Sequence, residues 1–214
     1  KTQTEGNVVL TYHYEGKKLT MATYDFGDTT RFEYDAAGLM DRIEDQYGHA
    51  ELIYNANKQV ESIVKYSFGV RSNFYELEYD GKNVSKVKSY SVVDSVNAAQ
   101  ILGITYTPDS EMESLYLDVY ESSISDYLRF LEADSLVTDG KINPYSINIG
   151  YIYMNLENPF AYGPSNIVDG NLEVLAQPTA IVTNYDYNEH DYPIEVDIDI
   201  PSWDKHTFFT YECY

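Results

Sequence analysis

The chain is short of cysteine, of positive charge and of long apolar runs. Of its 214 residues one is cysteine, Cys213, near the far end. A lone cysteine excludes an internal disulfide framework and a cysteine-built zinc cluster. A chain of this length buries roughly 70% of its unfolded surface without such staples. No apolar run reaches the roughly 18 residues of a membrane-spanning helix. Lysine and arginine total 14 against 35 acidic residues, a net charge of −21. Such a field repels nucleic acid and anionic lipid headgroups. It is also uneven, at −3 over residues 1–88 and −18 over residues 89–214. Solubility is its plain consequence; cation binding or a basic partner is the sharper one. Gly-x-Ser-x-Gly, His-Glu-x-x-His, the P-loop and Gly-x-Gly-x-x-Gly are all missing. Those absences remove the nucleophile elbow, the zinc-protease helix and the nucleotide cradle. We therefore expect no enzyme, assign no catalytic, cofactor-binding or metal residue, and expect no cofactor.

Tyrosine is what the chain has in quantity: 23, against 8 phenylalanines and 1 tryptophan. Its ring packs and its hydroxyl stays wet, which suits a half-buried pleated sheet. The tyrosines recur in a pattern, apolar-x-Tyr, that puts two side chains on one face of a strand. It occurs at Tyr12/Tyr14, Phe32/Tyr34, Leu52/Tyr54, Leu77/Tyr79, Ile104/Tyr106, Tyr185/Tyr187 and Phe209/Tyr211. A turn and a second apolar pair follow: Met40 and Ile43 after Tyr34, Val60 and Ile63 after Tyr54, Met112 and Leu115 after Tyr106. After Tyr79 the pair Val84 and Val87 comes one residue sooner, as does Leu19 and Ala22 after Tyr14. Turn chemistry explains the difference. Asp80-Gly81 and Glu15-Gly16 suit tight two-residue hairpin loops, while Asp35-Ala36-Ala37-Gly38 suits a type I turn closed by a left-handed glycine. In the Tyr54 copy Asn57 is expected in that left-handed role. The apolar pair is spaced by three, so either both faces are covered or a bulge separates its members. A fixed repeat of this kind means one small unit used many times.

The middle of the chain reads differently. Ile124, Tyr127, Leu128 and Leu131 have helical spacing, with Ser123 and Asp126 as a capping pair, so a short helix is expected near residues 123–133. Pro144, Pro159, Pro164 and Pro178 mark a long irregular insertion that permits a strand at Ser146–Met154. Such an insertion suits a lid, a plug or a packing segment. We read a single β-rich domain over 1–214, with hairpin repeats at 1–121 and 180–214 and the insertion at 122–179. The fold class expected is all-β: an antiparallel meander of roughly 10–14 strands curled into an open or closed barrel.

The stretch from Phe32-Glu33-Tyr34-Asp35 through Gly38 and Ile43 to Gly48 resembles the tyrosine–aspartate (YD, Rhs-like) repeats of large bacterial surface shells. Together with Leu77–Val87, Thr179–Val182 and Tyr185-Asp186-Tyr187-Asn188 through Ile194, it more closely resembles a domain-of-unknown-function family of Bacteroidetes lipoproteins with a porin-like fold. That resemblance implies export, a lipid anchor upstream of residue 1, and a place at the outer membrane, in the periplasm or on the cell surface. It implies no activity. Lys1 in place of an initiator methionine leads us to expect a processed or trimmed chain.

The residues that invite chemistry each have a plainer role. His13, His49, His190 and His206 fall on different hairpins. Asp139-Gly140-Lys141-Ile142 looks like the middle of a calcium loop, but the twelfth position is Ser146 where a bidentate glutamate is needed, so a turn is expected. Asp186–Asp191 offers several oxygens, as a hairpin turn also does. Asp118, Glu121, Asp197 and Asp199 on strand-like segments fit a wet sheet face better than a glycosidase pair. Asn83-Val84-Ser85 is a glycosylation sequon without use in a bacterium. A membrane barrel is disfavoured, because the strands are short and charges fall on both faces. The expected function is a non-enzymatic binding or structural module with a glycan or protein partner. The alternatives are a barrel that carries a small apolar ligand and a carboxylate-based glycan hydrolase.

Overall fold

A computed structural model of the chain describes residues 2–5, 8–91, 96–143, 162, 165–175, 177–199 and 205–210. Its regular elements are all strands, in chain order β1 (Thr2–Glu5), β2 (Val8–Glu15), β3 (Lys18–Tyr24), β4 (Thr29–Tyr34), β5 (Met40–Asp45), β6 (Gly48–Tyr54), β7 (Val60–Ser67) and β8 (Val70–Asp80). There follow β9 (Asn83–Ser91), β10 (Gln100–Tyr106), β11 (Met112–Glu121), β12 (Asp126–Ile142), β13 (Ser165–Val174), β14 (Gln177–Tyr187), β15 (Pro193–Asp199) and β16 (Lys205–Thr210). Each strand pairs antiparallel with the next, and β1 also pairs with β16, so the strand order is a ring. The strands exceed the 10–14 expected because β12 and β13 extend the meander through the segment read as irregular.

The odd spacing of the apolar pairs is resolved by bulges. In β4–β5 the register runs Glu33↔Arg42 and then Tyr34↔Met40, leaving Asp41 as the extra residue. The same shift leaves out Thr20 in β2–β3, Glu61 in β6–β7, Ser85 in β8–β9, Glu113 in β10–β11 and Ile194 in β14–β15. An extra residue between members of a pair spaced by three returns both to one face. Both members are accordingly buried: Leu19 and Ala22, Met40 and Ile43, Val60 and Ile63, Val84 and Val87, Met112 and Leu115.

The longer turns, after Tyr34, Tyr54, Tyr106 and Tyr187, share one design. Asp35 N–H donates to Leu39 O, and Gly38 N–H donates to Asp35 O. Asn55 and Gln59, Thr107 and Glu111, and Asn188 and Tyr192 repeat the first bond; Lys58, Ser110 and Asp191 repeat the second. The residue after tyrosine is Asp, Asn, Thr or Asn because its side-chain oxygen accepts from a backbone N–H within the turn, as Asp35 does from Leu39 and Asn55 from Gln59. The closing residue has a left-handed backbone: Gly38 at φ 82°, Lys58 at 61°, Ser110 at 69° and Asp191 at 59°. Lys58, not Asn57, holds that position in the Tyr54 copy, since the register aligns it with Gly38.

The expected helix near 123–133 is absent. Ser125 is left-handed at φ 54°, Glu121 accepts from Ser123 N–H, and the chain re-enters the sheet at Asp126. A bulge leaves Phe130 out between Leu117↔Leu131 and Asp118↔Arg129. That shift in phase makes Tyr127, Leu128 and Leu131 read with a helical period, although only Leu131 is buried. The insertion at 122–179 is likewise less irregular than expected, as it holds β12, β13 and the first residues of β14. The strand permitted at Ser146–Met154 lies outside the described residues. Asp139-Gly140-Lys141-Ile142 is the end of β12, not a turn.

Inward side chains from β2 to β14 form one apolar cluster. Leu19, Ile43, Ile63, Met112, Leu115, Leu172 and Ile181 are essentially inaccessible, and they come from all parts of that span. A round ring of about sixteen strands would hold an aqueous channel. This ring encloses a packed core instead. Tyr162, from the connection between β12 and β13, is part of it and lies near Tyr75, Tyr79 and Tyr106. Of the lid, plug and packing roles that the insertion suits, Tyr162 takes the packing one at its own position.

Candidate interaction surface

An antiparallel meander puts alternate turns at opposite ends of the strands. One end, the tyrosine rim, holds the turns after β2, β4, β6, β8, β10 and β14 and the β12–β13 connection. The other, the apolar rim, holds the turns after β3, β5, β7, β9, β11 and β13.

At the tyrosine rim each ring leans on the preceding hairpin. The Tyr34 hydroxyl donates to Leu19 O at 3.0 Å, Tyr54 to Met40 O at 2.6 Å, Tyr79 to Val60 O at 2.9 Å and Tyr106 to Val84 O at 2.7 Å. Every acceptor is the residue just before a bulge, where the ladder is broken and a carbonyl needs another donor. Burial pushes the Tyr14 hydroxyl up to about 12, with nearby Tyr34 adding to it. Tyr54 and Tyr79 are pushed up to about 12, chiefly by burial. Tyr106 and Tyr162 are raised for the same reason. At β12–β14, Tyr187 donates to Asp139, Asn166 Nδ2 donates to the Tyr187 oxygen at 3.1 Å, and the Lys141 ammonium sits 3.7 Å from the centre of the Tyr187 ring. The rings of Tyr34, Tyr54, Tyr79, Tyr106 and Tyr187 are thus tied down by hydrogen bonds at this end, while Tyr14 at the β2–β3 turn stays 41% accessible.

The apolar rim is different. Every described turn there exposes at least one large apolar side chain: Phe26 after β3, Tyr47 after β5, Phe68 and Val70 about the β7–β8 turn, Val96 after β9, Ile124 after β11 and Leu175 after β13. Phe68 and Val96 are 81% and 85% accessible. Tyr47 and Phe68 meet edge to face at 6.4 Å, and Phe68 N–H donates to Tyr47 O. Phe26 stacks on Tyr24 at 5.0 Å. Neighbouring tips are two strands apart, about 10 Å.

The residues singled out in the sequence are not brought together. His13 hydrogen-bonds Thr23 at 3.0 Å, His49 stacks on Tyr66 at 4.7 Å, and His190 lies beside Glu189 in an exposed turn. His206 and Asp199 have side chains outside the described residues. Asp118 is paired with Arg129, Glu121 caps a turn, and Asp197 lies on β15. Among the described residues no group of three or more His, Cys, Asp or Glu side chains is placed to hold a metal. Asp186–Asp191 is the end of β14 and its hairpin turn.

No helix among the described residues is long and apolar enough to cross a membrane. The outward sides of the strands carry ion pairs, Arg42 with Glu33 and Glu44, and Glu78 with Lys86 and Lys88. The Lys88 hydrogen bond holds the Glu78 carboxyl below its usual range. A bilayer-embedded barrel presents an apolar band at such positions.

No family model and no curated protein matches the chain. Its fold is similar to two solved structures. One is a porin-like protein from Bacteroides uniformis, with TM-score 0.64 and 10% identity over 99% of this chain and 95% of that one. The other is a porin-like protein from Bacteroides vulgatus, with TM-score 0.64 and 9% identity over 99% of this chain and 97% of that one. At such identity the likeness establishes the porin-like fold and nothing of function.

The apolar rim is what sequence reasoning missed. Its residues follow no repeat, and a single apolar residue in a turn is ordinary. The signal was their recurrence at alternate turns.

Proposed function

We propose that this chain is a non-enzymatic binding module of the cell envelope that engages its partner through the apolar rim. The observation that carries this is the exposure of large apolar side chains at every described turn of one end. Large apolar side chains exposed at turn after turn of one end, with Tyr47 and Phe68 in ring contact, are the kind of surface that marks interaction sites. The packed interior supports a surface site over the carrier alternative, since an enclosed ligand needs a cavity that Leu115, Ile181, Tyr162 and their neighbours fill. The hydrolase alternative needs two free carboxylates in one cleft, whereas Asp118 is neutralised by Arg129. A protein partner fits better than a glycan because, although Phe26, Tyr47 and Phe68 offer rings, the tips Val70, Val96, Ile124 and Leu175 between and beyond them are aliphatic and give a sugar no flat face to stack on. The sequence resemblance to Bacteroidetes lipoproteins implies export and an upstream lipid anchor, and the porin-like fold shared with the Bacteroides proteins suits a place in the cell envelope.

The test is position-specific photo-crosslinking in the producing bacterium. A photoreactive residue replacing Phe68 or Val96 should give discrete adducts, and one replacing Ile53 on the outer wall should not. Equal labelling at both places would refute the assignment. Fatty-acid labelling of the full-length protein tests the anchor, and an unlabelled protein would remove it.

A further inference from the structure

The partner's chemistry can be read from the groups between the apolar tips. Asp25 and Asp28 flank Phe26, Asp45 precedes Tyr47, and Glu121 and Asp126 bracket Ile124. Asp25, Asp45 and Asp126 are exposed. Two cations beside the β7–β8 turn lie against rings. Arg71 lies 4.9 Å from the centre of the Phe74 ring, and Lys65 lies 5.4 Å from that of Tyr75. The rim is thus a ring of apolar tips set in a negative field, on a molecule of net charge −21.

Three occupants can be weighed. A second copy docking rim to rim would bring the same carboxylates face to face, and like charges across an interface cost several kcal/mol. A bilayer surface would take Phe26, Phe68 and Val96, but Asp25, Asp28 and Asp126 would enter the headgroup region with them and lose water. A polypeptide with an apolar face bordered by lysine or arginine meets both features at once: its side chains fit among tips about 10 Å apart, and its cations face the carboxylates. We propose that the apolar rim docks a basic, amphipathic polypeptide segment. This rests on the rim being the docking site, and the experiment below separates failure of the one from failure of the other.

Three synthetic amphipathic peptides with the same apolar residues are titrated into the whole chain: one cationic (lysine), one neutral (glutamine) and one anionic (glutamate). Isothermal calorimetry reads the affinity, and zwitterionic phosphatidylcholine vesicles are run in parallel. The double variant Phe26→Ser/Phe68→Ser removes rim tips, Ile53→Ser/Ile194→Ser alters other exposed apolar positions, and Asp25→Asn/Asp126→Asn removes rim charge. Circular dichroism confirms that each is folded. The expected result is cationic binding at least about tenfold tighter than neutral, weakened about tenfold by the rim variant, unchanged by the wall variant, and reduced by the charge variant and by salt. Rim-dependent binding of the neutral peptide as tight as the cationic one would overturn the basic-partner inference and leave the rim as a docking site. Rim-dependent binding to vesicles but to no peptide would overturn it in favour of a membrane surface. Cationic binding indifferent to the rim variant would be general charge attraction and would remove both readings, as would no binding at all.

Discussion

The two rims are made of the same hairpins and spend their side chains in opposite ways. At one, Tyr34, Tyr54, Tyr79 and Tyr106 fold inward and give their hydroxyls to carbonyls beside bulges. At the other, Phe26, Phe68, Val96 and Leu175 project into water and fill no space in the core. The repeat therefore encodes stability at one end, and the irregular turns are free to encode recognition at the other. Substitutions at the first should change stability and leave any binding intact; substitutions at the second should do the reverse.

The largest expected effect comes from pH, because it acts on the whole tyrosine rim together. Tyr14, Tyr54 and Tyr79 ionise at about 12 when folded, against 10.0 for a free side chain. Below pH 10 their contribution to stability is fully present. Above it the unfolded chain gives up protons that the folded chain retains, so the unfolded state binds fewer protons and stability falls with pH. The chain should lose its fold cooperatively between pH 10 and 12, with tyrosinate absorbance and circular dichroism changing together. Gradual tyrosinate formation near pH 10 with the sheet retained would mean the rim rings are not held as described. Mutating Phe26 or Phe68 should not move that transition.

Next in size is a single hydroxyl. Tyr106→Phe keeps the ring and leaves the Val84 carbonyl without that donor, which costs about 1–3 kcal/mol in a buried setting. Chemical denaturation should show the midpoint falling at unchanged slope. A neutral outcome would mean water replaces the hydroxyl and the rim is less closed than the burial of Tyr106 indicates.

The repeat was legible because each of its letters has a local physical job. Tyrosine, then a turn-capping Asp or Asn, then an apolar pair whose distance tracks loop length, together announce hairpins in series. What one hairpin cannot show is which explanation of the odd spacing holds, two covered faces or a bulge, because Asp41 and Glu61 are set aside only by the register of the strand opposite. The helix expected near 123–133 failed for that same reason. A bulge at Phe130 breaks the period of two and leaves residues spaced like a helix face. The acceptors of the tyrosine hydroxyls lie 14 to 22 residues back, too far to pair by eye without the register. The apolar rim was hidden more deeply, since it exists only once alternate turns are known to share an end.

A smaller effect, of opposite sign, is expected where the repeat departs from glycine. Lys58 and Ser110 occupy the left-handed position that Gly38 fills in the better turn. Lys58→Gly and Ser110→Gly should each stabilise by about 1 kcal/mol, the relief of a strained backbone outweighing the freedom glycine adds to the unfolded chain. Thermal unfolding would show it as a rise of a few degrees. A loss of stability would mean that side-chain contacts at those positions outweigh the backbone strain.

The smallest effect on stability is the most informative one. Phe68→Ser removes an 81%-accessible ring whose described ring contact is an edge on Tyr47. A surface substitution of that kind lies within about ±0.5 kcal/mol. The left-handed backbone at Phe68, φ 50°, is no harder for serine to adopt, as Ser110 and Ser125 adopt it elsewhere in the chain. Natural surfaces shed rings that serve neither packing nor recognition, since such rings invite aggregation. If Phe68→Ser leaves the melting point unchanged while crosslinking from Val96 and peptide binding both fall, the ring is retained for a partner. If instead stability drops by more than about 1 kcal/mol, Phe68 is part of a turn-supporting cluster with Tyr47. The two rims would then differ in degree of burial and not in purpose.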